Sequence, residues 1–126
     1  MKYEIVIDKP KKLFIIYTNG EIELEVEKNM IYDVVSHPMW NSQYNLLFDH
    51  TNSSLANFQT IDIQELSKLL KSQSEQLGMI KLAIVLSTDL NYGLGRMWEA
   101  YTRYDVKCDI EIFRTYAEAE LWLIPH

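Results

Sequence analysis

The sequence predicts a single α/β domain on a five-stranded, mostly parallel sheet, with an N-terminal antiparallel hairpin and about four helices. Short apolar segments of strand length alternate with segments whose apolar residues recur at helical spacing, which is typical of β-α units with right-handed crossovers. The length of 126 residues suits one domain, residues 1–126. Hydrophobic residues make up 48% of the chain and charged residues 24%, as in a folded globule.

The first two strands are predicted to form the hairpin. Residues 3–7 alternate apolar and charged side chains, as in a strand with one exposed face, and residues 13–17 are apolar throughout. Residues 9–12 between them consist of one proline and three lysines, a polar turn composition. We expect the second strand to end at Tyr17 and residues 18–20 to terminate it, since Gly20 can adopt a positive φ.

The segment that follows fits both a strand and a helix. Residues 21–27 alternate glutamates with aliphatic side chains, which favours a strand. Val26, Met30 and Val34 recur every four residues, which favours a helix, and glutamates suit the first helical turn. We predict a helix over about residues 24–37, ended by Pro38 because the residue before a proline avoids helical geometry.

The second half of the chain alternates strands and helices. A helix is expected from Asp62, with Glu65 completing a capping box and Ile61 packing onto Leu66, and it should end at Gly78. The near-continuous aliphatic run at residues 81–87 predicts a central parallel strand. The remaining predicted elements are strands at residues 44–49 and 109–114, a polar connection at residues 50–59, and helices at about residues 92–104 and 116–123.

The charge balance weighs against binding to nucleic acid. Twelve Lys and Arg against 18 Asp and Glu give a formal net charge of −6, whereas nucleic-acid binding needs a positive surface. The one cysteine, Cys108, excludes an intramolecular disulfide, and we expect it to be buried. Because no apolar run reaches the ~18 residues of a membrane span, we predict a cytoplasmic protein without integral membrane insertion.

Motifs for catalysis, metal ions and cofactors are missing from the sequence. His37, His50 and His126 are too scattered for a metal site read from spacing. The segment Tyr92-Gly93-Leu94-Gly95 lacks the spacing of a phosphate-binding loop or a dinucleotide fingerprint, and we interpret it as a loose helix entry. There is no nucleophile elbow. We therefore predict no catalytic residue, no metal, no cofactor and no enzymatic activity.

Three segments of the second half resemble the SpoIIAA-like family of small bacterial proteins, which is grouped with the STAS and CRAL-TRIO domains. They are residues 81–85 (KLAIV), 89–99 (DLNYGLGRMWE) and 112–123 (IFRTYAEAELWL). Together with the order of elements, the resemblance covers essentially the whole chain. It implies a SpoIIAA-like β-α superhelix with sequential strands and helices mainly on one face. Most stand-alone members have no established activity, so the resemblance implies a fold more than a function.

The STAS relatives include anti-anti-sigma factors, which are switched by phosphorylation of a serine in a turn at a helix start. The matching segment, residues 49–55, contains Ser53 and Ser54 but no glycine after them. A phosphate there would also find few cations nearby in a chain that is already acidic. We predict that neither serine is a working phosphorylation switch.

Polar side chains follow the predicted carboxyl ends of the parallel strands, where ligands bind in α/β sheets. The candidate ligand or partner site consists of Asp49, Ser87, Asp89, Tyr92, Arg96 and Arg114. These residues either form one polar mouth or merely cap loops and helix starts. Arg96 is either a bidentate anion ligand or the partner of Glu99 or Asp89 in an ion pair.

A second candidate site lies on the predicted helix of residues 92–104. Leu94, Trp98 and Tyr101 either line an apolar pocket or pack as ordinary core, which is the commoner role of such a stripe. The CRAL-TRIO relatives bind lipid-like ligands, so the resemblance supports the pocket by analogy.

These features lead us to expect a non-catalytic regulatory or protein-interaction module. Its partner would be another protein or a second copy of the chain, docked on an edge or face of the sheet. The alternative is a carrier of a small apolar or lipid-like ligand in a cavity near the helix of residues 92–104. An enzyme acting on a small anionic substrate ranks third, because the motifs are missing.

Overall fold

In a computed structural model of the chain, which describes residues 1–124, five strands form one sheet in the order β1-β2-β3-β4-β5. The strands are β1 (Lys2–Asp8), β2 (Leu13–Glu21), β3 (Asn45–Ser54), β4 (Lys81–Val85) and β5 (Asp109–Phe113). The helices are α1 (Leu24–Val35), α2 (Thr60–Ser72), α3 (Ser74–Leu77), α4 (Asp89–Thr102) and α5 (Tyr116–Leu123), with a 3₁₀ turn at Arg103–Asp105. His126 lies outside the described residues.

The strand directions confirm the predicted fold class. β1 and β2 are antiparallel, and every other neighbouring pair is parallel. The number of helices is five instead of about four, because the helix predicted from Asp62 is divided at Gln73 into α2 and the short α3. Within residues 1–124, no helix has the length and apolarity needed to cross a bilayer.

Each face of the sheet carries its own hydrophobic core, because side chains alternate between the faces along a strand. The larger core joins the sheet to α1, α2 and α4, and includes Phe14, Phe48, Leu82 and Trp98. The smaller core joins the opposite face to α5 through Ala119 and its neighbours. The aliphatic run of β4 is covered on both sides, as expected for a central parallel strand.

Cys108 is buried in the larger core, as predicted. Burial raises the pKa of its thiol to about 11, so the thiol is protonated at neutral pH. Cys108 therefore acts as a small apolar side chain.

Two strands continue beyond their predicted ends. β2 runs to Glu21 and β3 to Ser54, and Gly20 lies opposite Ser53 in the parallel pairing. The prediction of a polar connection at residues 50–59 is therefore wrong for its first half. Backbone hydrogen bonds hold these polar strand ends together. The hydrophobic pattern of the sequence contains no information on such bonds, so it could not predict the longer strands.

Two helices begin earlier than predicted. Gln59 is the N-cap of α2, and its backbone N–H donates to Asp62 Oδ2 at 2.9 Å, so Asp62 is the third helical residue and not the cap. α4 begins at Asp89, where the backbone N–H of Asn91 donates to Thr88 Oγ1 at 3.2 Å. In both cases the cap lies before the first apolar residue of the helical pattern, which explains the late prediction.

Candidate functional site

The site begins at an irregularity between β2 and β3. Tyr17 pairs with Asp49 and Asn19 pairs with Asn52. Three residues of β2 therefore lie opposite four residues of β3, so β3 has one extra residue over this stretch. Such a β-bulge redirects side chains, and bulges are over-represented next to functional sites. The bulge lies beside Thr18 and His50, both of which are buried.

The side chains of Thr18, Glu27 and His50 form a buried hydrogen-bonded chain. His50 Nε2 lies 2.8 Å from Glu27 Oε1, and His50 Nδ1 lies 2.6 Å from Thr18 Oγ1. The hydroxyl of Ser53, which is half-buried, lies 2.6 Å from Thr18 Oγ1. Buried charges are tolerated only when they are paired. These hydrogen bonds therefore allow Glu27 to lie in the core.

The number of hydroxyl hydrogens limits the direction of these bonds. One arrangement that satisfies the hydrogen-bonded chain has Ser53 donating to Thr18, Thr18 donating to His50 Nδ1, and His50 Nε2–H donating to Glu27. Thr18 Oγ1 also lies 3.2 Å from the Asp49 carbonyl, to which its single hydrogen can be donated instead. A carboxylate offers about four lone-pair positions, of which His50 occupies one. Glu27 can therefore accept a further hydrogen bond.

An apolar cavity of about 70 Å³ lies next to the hydrogen-bonded side chains of Glu27 and His50, between the sheet and the helices α1, α2 and α4. Glu27 and His50 are the polar part of its lining. The apolar part comprises Ile31, Phe48, Leu55, Phe58, Ile63, Leu66, Leu70, Leu82, Ile84, Leu86, Leu94, Gly95 and Trp98. Phe58, Leu66 and Leu94 are only half-buried, so the cavity is not sealed from solvent. One water needs about 10–15 Å³ of such space, so the cavity has room for a small organic group.

One buried polar atom of a lining residue, the indole nitrogen of Trp98, lacks a partner. Trp98 is 8% exposed, and its Nε1–H makes no hydrogen bond within residues 1–124. A buried donor left unpaired costs about 1–3 kcal/mol, and buried indole N–H groups usually find an acceptor.

Gly95 allows α4 to lie close over the cavity. A Cβ atom at this position would be 2.3 Å from Leu86 Cδ1 and 3.4 Å from Ile112 Cγ2, whereas a Cβ atom on Gly93 would meet open space. Both glycines lie inside α4, so the interpretation of residues 92–95 as a loose helix entry is wrong. Gly95 is a residue of close packing.

The predicted ligand or partner site is occupied by ion pairs at the surface. Arg114 Nη1 contacts Asp89 Oδ1 at 2.6 Å, and the guanidinium carbon lies 4.3 Å from the ring centroid of Tyr92. Arg96 Nε contacts Glu99 Oε1 at 3.1 Å, which is the ion-pair alternative. The fold thus brings Asp89, Tyr92 and Arg114 together and places Arg96 against its own helix.

Glu99 is a buried carboxylate held by two arginines. Its side chain is 4% exposed and contacts both Arg96 and, at 3.9 Å, Arg103. Burial raises the pKa of the Glu99 carboxyl, and the two guanidinium groups oppose that rise. A hydrogen bond with Tyr92, and then the charge of Glu99, raise the pKa of Arg96. Both arginines compensate a buried charge.

The other two residues of the predicted ligand or partner site, Asp49 and Ser87, form hydrogen bonds with Thr51. Asp49 Oδ1 accepts from the backbone N–H of Thr51 at 3.0 Å, and Ser87 Oγ donates to the Thr51 carbonyl at 3.4 Å. Ser54 Oγ accepts from the backbone N–H of Ala56 at 3.1 Å. These bonds fit the loop-capping interpretation of such side chains.

The predicted apolar pocket is divided between the cavity and the surface. Leu94 and Trp98 line the cavity. Tyr101 is 42% exposed and is not part of the lining. Helical spacing predicts that these three side chains lie on neighbouring parts of one helix. The packing of α2 and the sheet against α4 then decides which of them face the cavity and which face solvent.

Sequence reasoning missed Thr18 and Glu27 as site residues and noted His50 only at a strand end. Thr18 and His50 each continue the two-residue alternation of buried positions in their strands, so a longer strand would have placed them on the inner face. Glu27 lies four residues before the buried Ile31, on the inner side of α1, but its neighbouring glutamates hide that signal.

Comparison with solved structures matches this fold to a known one. The chain is similar to an uncharacterized protein of the DUF3478 family from Shewanella loihica PV-4, whose crystal structure has a SpoIIAA-like fold. The TM-score is 0.60 at 14% sequence identity, and the match covers 97% of this chain and 92% of that chain. No family model and no curated protein matches the sequence. The SpoIIAA-like fold implied by the resemblance is thereby confirmed.

Proposed function

We propose that this protein is a non-catalytic module that binds a small, largely apolar ligand in the cavity beneath α4. The single observation that carries the proposal is an apolar cavity whose wall holds a buried Glu27–His50 pair. Ligand sites are typically apolar concavities with a few polar groups that fix orientation.

The size of the cavity sets the affinity that we expect. An apolar cavity of roughly 150 Å³ is enough to bind benzene, so one of about 70 Å³ accommodates part of such a molecule while the rest emerges between the half-buried side chains. Burying about five CH₂-sized groups at roughly 0.8 kcal/mol each yields about 4 kcal/mol, which corresponds to a Kd on the order of 1 mM.

The chemistry of the lining supports binding without turnover. Among the described residues that line the cavity there is no hydroxyl, thiol or amine that could attack a bound molecule. Thr18, which contacts His50, is buried and is not part of the lining. His50 and Glu27 are engaged with each other, as in a structural pair.

The test is to fill the cavity by substitution. NMR titration with toluene at millimolar concentrations detects an added apolar ligand of this affinity. The variant Leu94→Trp should not bind toluene, because the larger ring occupies the cavity. The matched control is Leu90→Trp, one turn earlier on the exposed side of α4, and it should bind toluene as the unmodified protein does. Failure of the unmodified protein to bind toluene would refute the proposal.

A protein partner is the second candidate function, and exposed apolar side chains on α4 favour it. Leu90, Met97 and Tyr101 are 56%, 38% and 42% exposed, and their spacing of seven and four residues places them on one side of the helix. The proposed occupant is a second copy of the chain, because two such stripes can form a self-complementary contact about a two-fold axis.

Self-association is tested by light scattering after size-exclusion chromatography over a wide concentration range. The unmodified protein should approach twice its monomer mass as concentration rises, and Met97→Glu should remain a monomer. A monomer at every concentration contradicts this second candidate.

A further inference from the structure

The sheet has two outer strands, β1 and β5, and their free edges differ in what they can pair with. Within residues 1–124, backbone hydrogen bonds join β1 to β2 alone. Because backbone groups alternate in direction along a strand, every second residue of β1 points its N–H and C=O away from β2. We propose that this edge pairs with β1 of a second copy of the chain, antiparallel and about a two-fold axis through Ile5.

β1 lacks the features that usually protect an outer strand. It has seven residues, contains no proline and pairs with β2 in one continuous register. Proteins commonly block such edges with short strands, prolines, bulges or charged residues on the inner face. The inner face of β1 instead carries Tyr3, Ile5 and Ile7, which pack against the larger core and stay half-buried. A neighbouring strand at this edge covers the rest of that apolar row.

The sequence of β1 is complementary to itself in one register. Opposite residues of an antiparallel pair lie on the same face, and both or neither bond to the partner strand, so shifts by one residue are excluded. With Ile5 on the axis, all seven residues are paired: Lys2 lies opposite Asp8, Tyr3 opposite Ile7, and Glu4 opposite Val6. Because the axis repeats each pair, the outer face gains two Lys2–Asp8 ion pairs and the inner face an unbroken apolar row.

The neighbouring registers of β1 bring like charges together. A shift of two residues in one direction places Glu4 opposite Glu4 of the second copy, and a shift of two in the other direction places it opposite Asp8. Like charges directly opposite each other destabilise a strand pair. Larger shifts leave most of the strand unpaired. The fully overlapping register is therefore the favourable one.

The free edge of β5 is protected by its own acidic residues. β5 has five residues, and the fully overlapping symmetric pairing places Glu111 on the axis, directly opposite Glu111 of the second copy. Shifted registers pair fewer residues of this shorter strand. A second copy is therefore repelled at β5 and accepted at β1.

Reversing the charges at the two ends of β1 tests this register. Lys2→Glu places a carboxylate opposite Asp8 of the second copy, and Asp8→Lys places an ammonium group opposite Lys2. Each variant alone should raise the Kd of the dimer at least about tenfold, because two like-charge pairs replace two ion pairs. An equimolar mixture of the two variants should associate about as tightly as the unmodified protein, because every introduced charge then meets its opposite.

Analytical ultracentrifugation over a wide concentration range measures these Kd values. Lys68→Glu is the matched control, since it makes the same change of charge on an exposed side chain of α2, and its Kd should equal that of the unmodified protein. Amide hydrogen exchange gives a second measurement. Every second amide of β1 in the unmodified protein should become protected as the protein concentration rises.

The α4 stripe of the second candidate function lies elsewhere, because α4 packs beside β5 and β1 is the opposite edge of the sheet. If β1 makes the contact, Met97→Glu dimerises like the unmodified protein, whereas the second candidate function requires it to remain a monomer. The pairing of β1 is also independent of ligand binding in the cavity, so failure to bind toluene leaves it in place.

Three results overturn the pairing of β1: a monomer at every concentration, a dimer whose Kd is the same in Lys2→Glu and Asp8→Lys, or a mixture that associates no more tightly than each variant alone. Asp8 Oδ1 also accepts from the backbone N–H of Lys11 at 3.1 Å, in the turn after β1. Should Asp8→Lys fail to fold for that reason, Lys2→Glu and the amide exchange of the unmodified protein decide the question.

Discussion

Asp89 and Arg114 form an exposed ion pair at the carboxyl ends of β4 and β5, whereas Glu27 and His50 form a buried pair beside the cavity. The side chains of the first pair are 96% and 46% exposed, and those of the second are 8% and 6% exposed. An exposed pair contributes about 0–1 kcal/mol to the free energy of unfolding, because water stabilises the two separated charges almost as well as the ion pair does. Removing one partner of a buried pair costs about 3–5 kcal/mol.

The comparison teaches where each kind of polar group is useful. The exposed pair can be broken at little cost in free energy. Its side chains can therefore rearrange to contact a partner, but the pair does not fix their orientation. The buried pair is fixed by its surroundings, and a fixed acceptor on an apolar wall can orient a ligand. Four predictions about buried and exposed positions follow, in order of expected effect.

Glu27→Ala should have the largest effect, about 3 kcal/mol less free energy of unfolding, because it leaves His50 buried without its partner and enlarges the cavity. Asp89→Ala is the matched control and should change the free energy of unfolding by less than about 1 kcal/mol. Urea unfolding of both variants measures the difference. Losses of equal size would show that burial does not separate the two pairs.

Gly95→Ala should destabilise the protein by about 1–2 kcal/mol, since the added methyl group collides with Leu86 at the cavity wall. Gly93→Ala adds the same atom to the same helix in open space and should stabilise the protein by up to about 1 kcal/mol through helix propensity. Thermal unfolding monitored by circular dichroism reads out both. The two shifts in Tm should have opposite signs, and shifts of the same sign would contradict the close packing of α4.

Glu99 lies between the two extremes, since it is buried but held by exposed arginines. Its pKa is raised in the folded protein, so between the unfolded and the folded pKa the folded state binds more protons. Stability due to this group therefore falls as the pH rises above the ordinary glutamate pKa of about 4.3. Glu99→Gln should reduce that fall.

Urea unfolding at a series of pH values measures this dependence. Glu4→Gln, an exposed glutamate in β1, is the control and should leave the pH dependence as it is in the unmodified protein. A fall in stability that is unchanged in Glu99→Gln would place its cause in other groups.

The smallest effect is expected at Ser53, the outer end of the buried hydrogen-bonded chain. Its hydroxyl is bonded to Thr18 and its backbone belongs to β3, so a kinase has no free loop to engage. Incubation with cell lysate and ATP, followed by phosphosite mapping, should find Ser53 unmodified. Stoichiometric phosphate on Ser53, together with loss of a partner in Ser53→Asp, would reverse this prediction.

The amino-acid sequence by itself determined the elements and their order. The two-residue alternation of β1, the aliphatic run of β4 and the four-residue spacing in α1 each depend on neighbours along the chain, so each can be read locally. The pairing of Arg96 with Glu99 was foreseeable as one alternative for the same reason, because i and i+3 positions meet on any helix.

Tertiary structure alone decided the bulge beside Thr18, the contact of His50 with Glu27 and the cavity under α4. Thr18 and His50 are 32 residues apart, and their contact depends on the register of two strands that differ by one residue. The cavity depends on how closely α4 approaches the sheet, which is set by the missing side chain of Gly95. Register and packing distance are properties of pairs of elements, and neither is present in the local pattern of one segment.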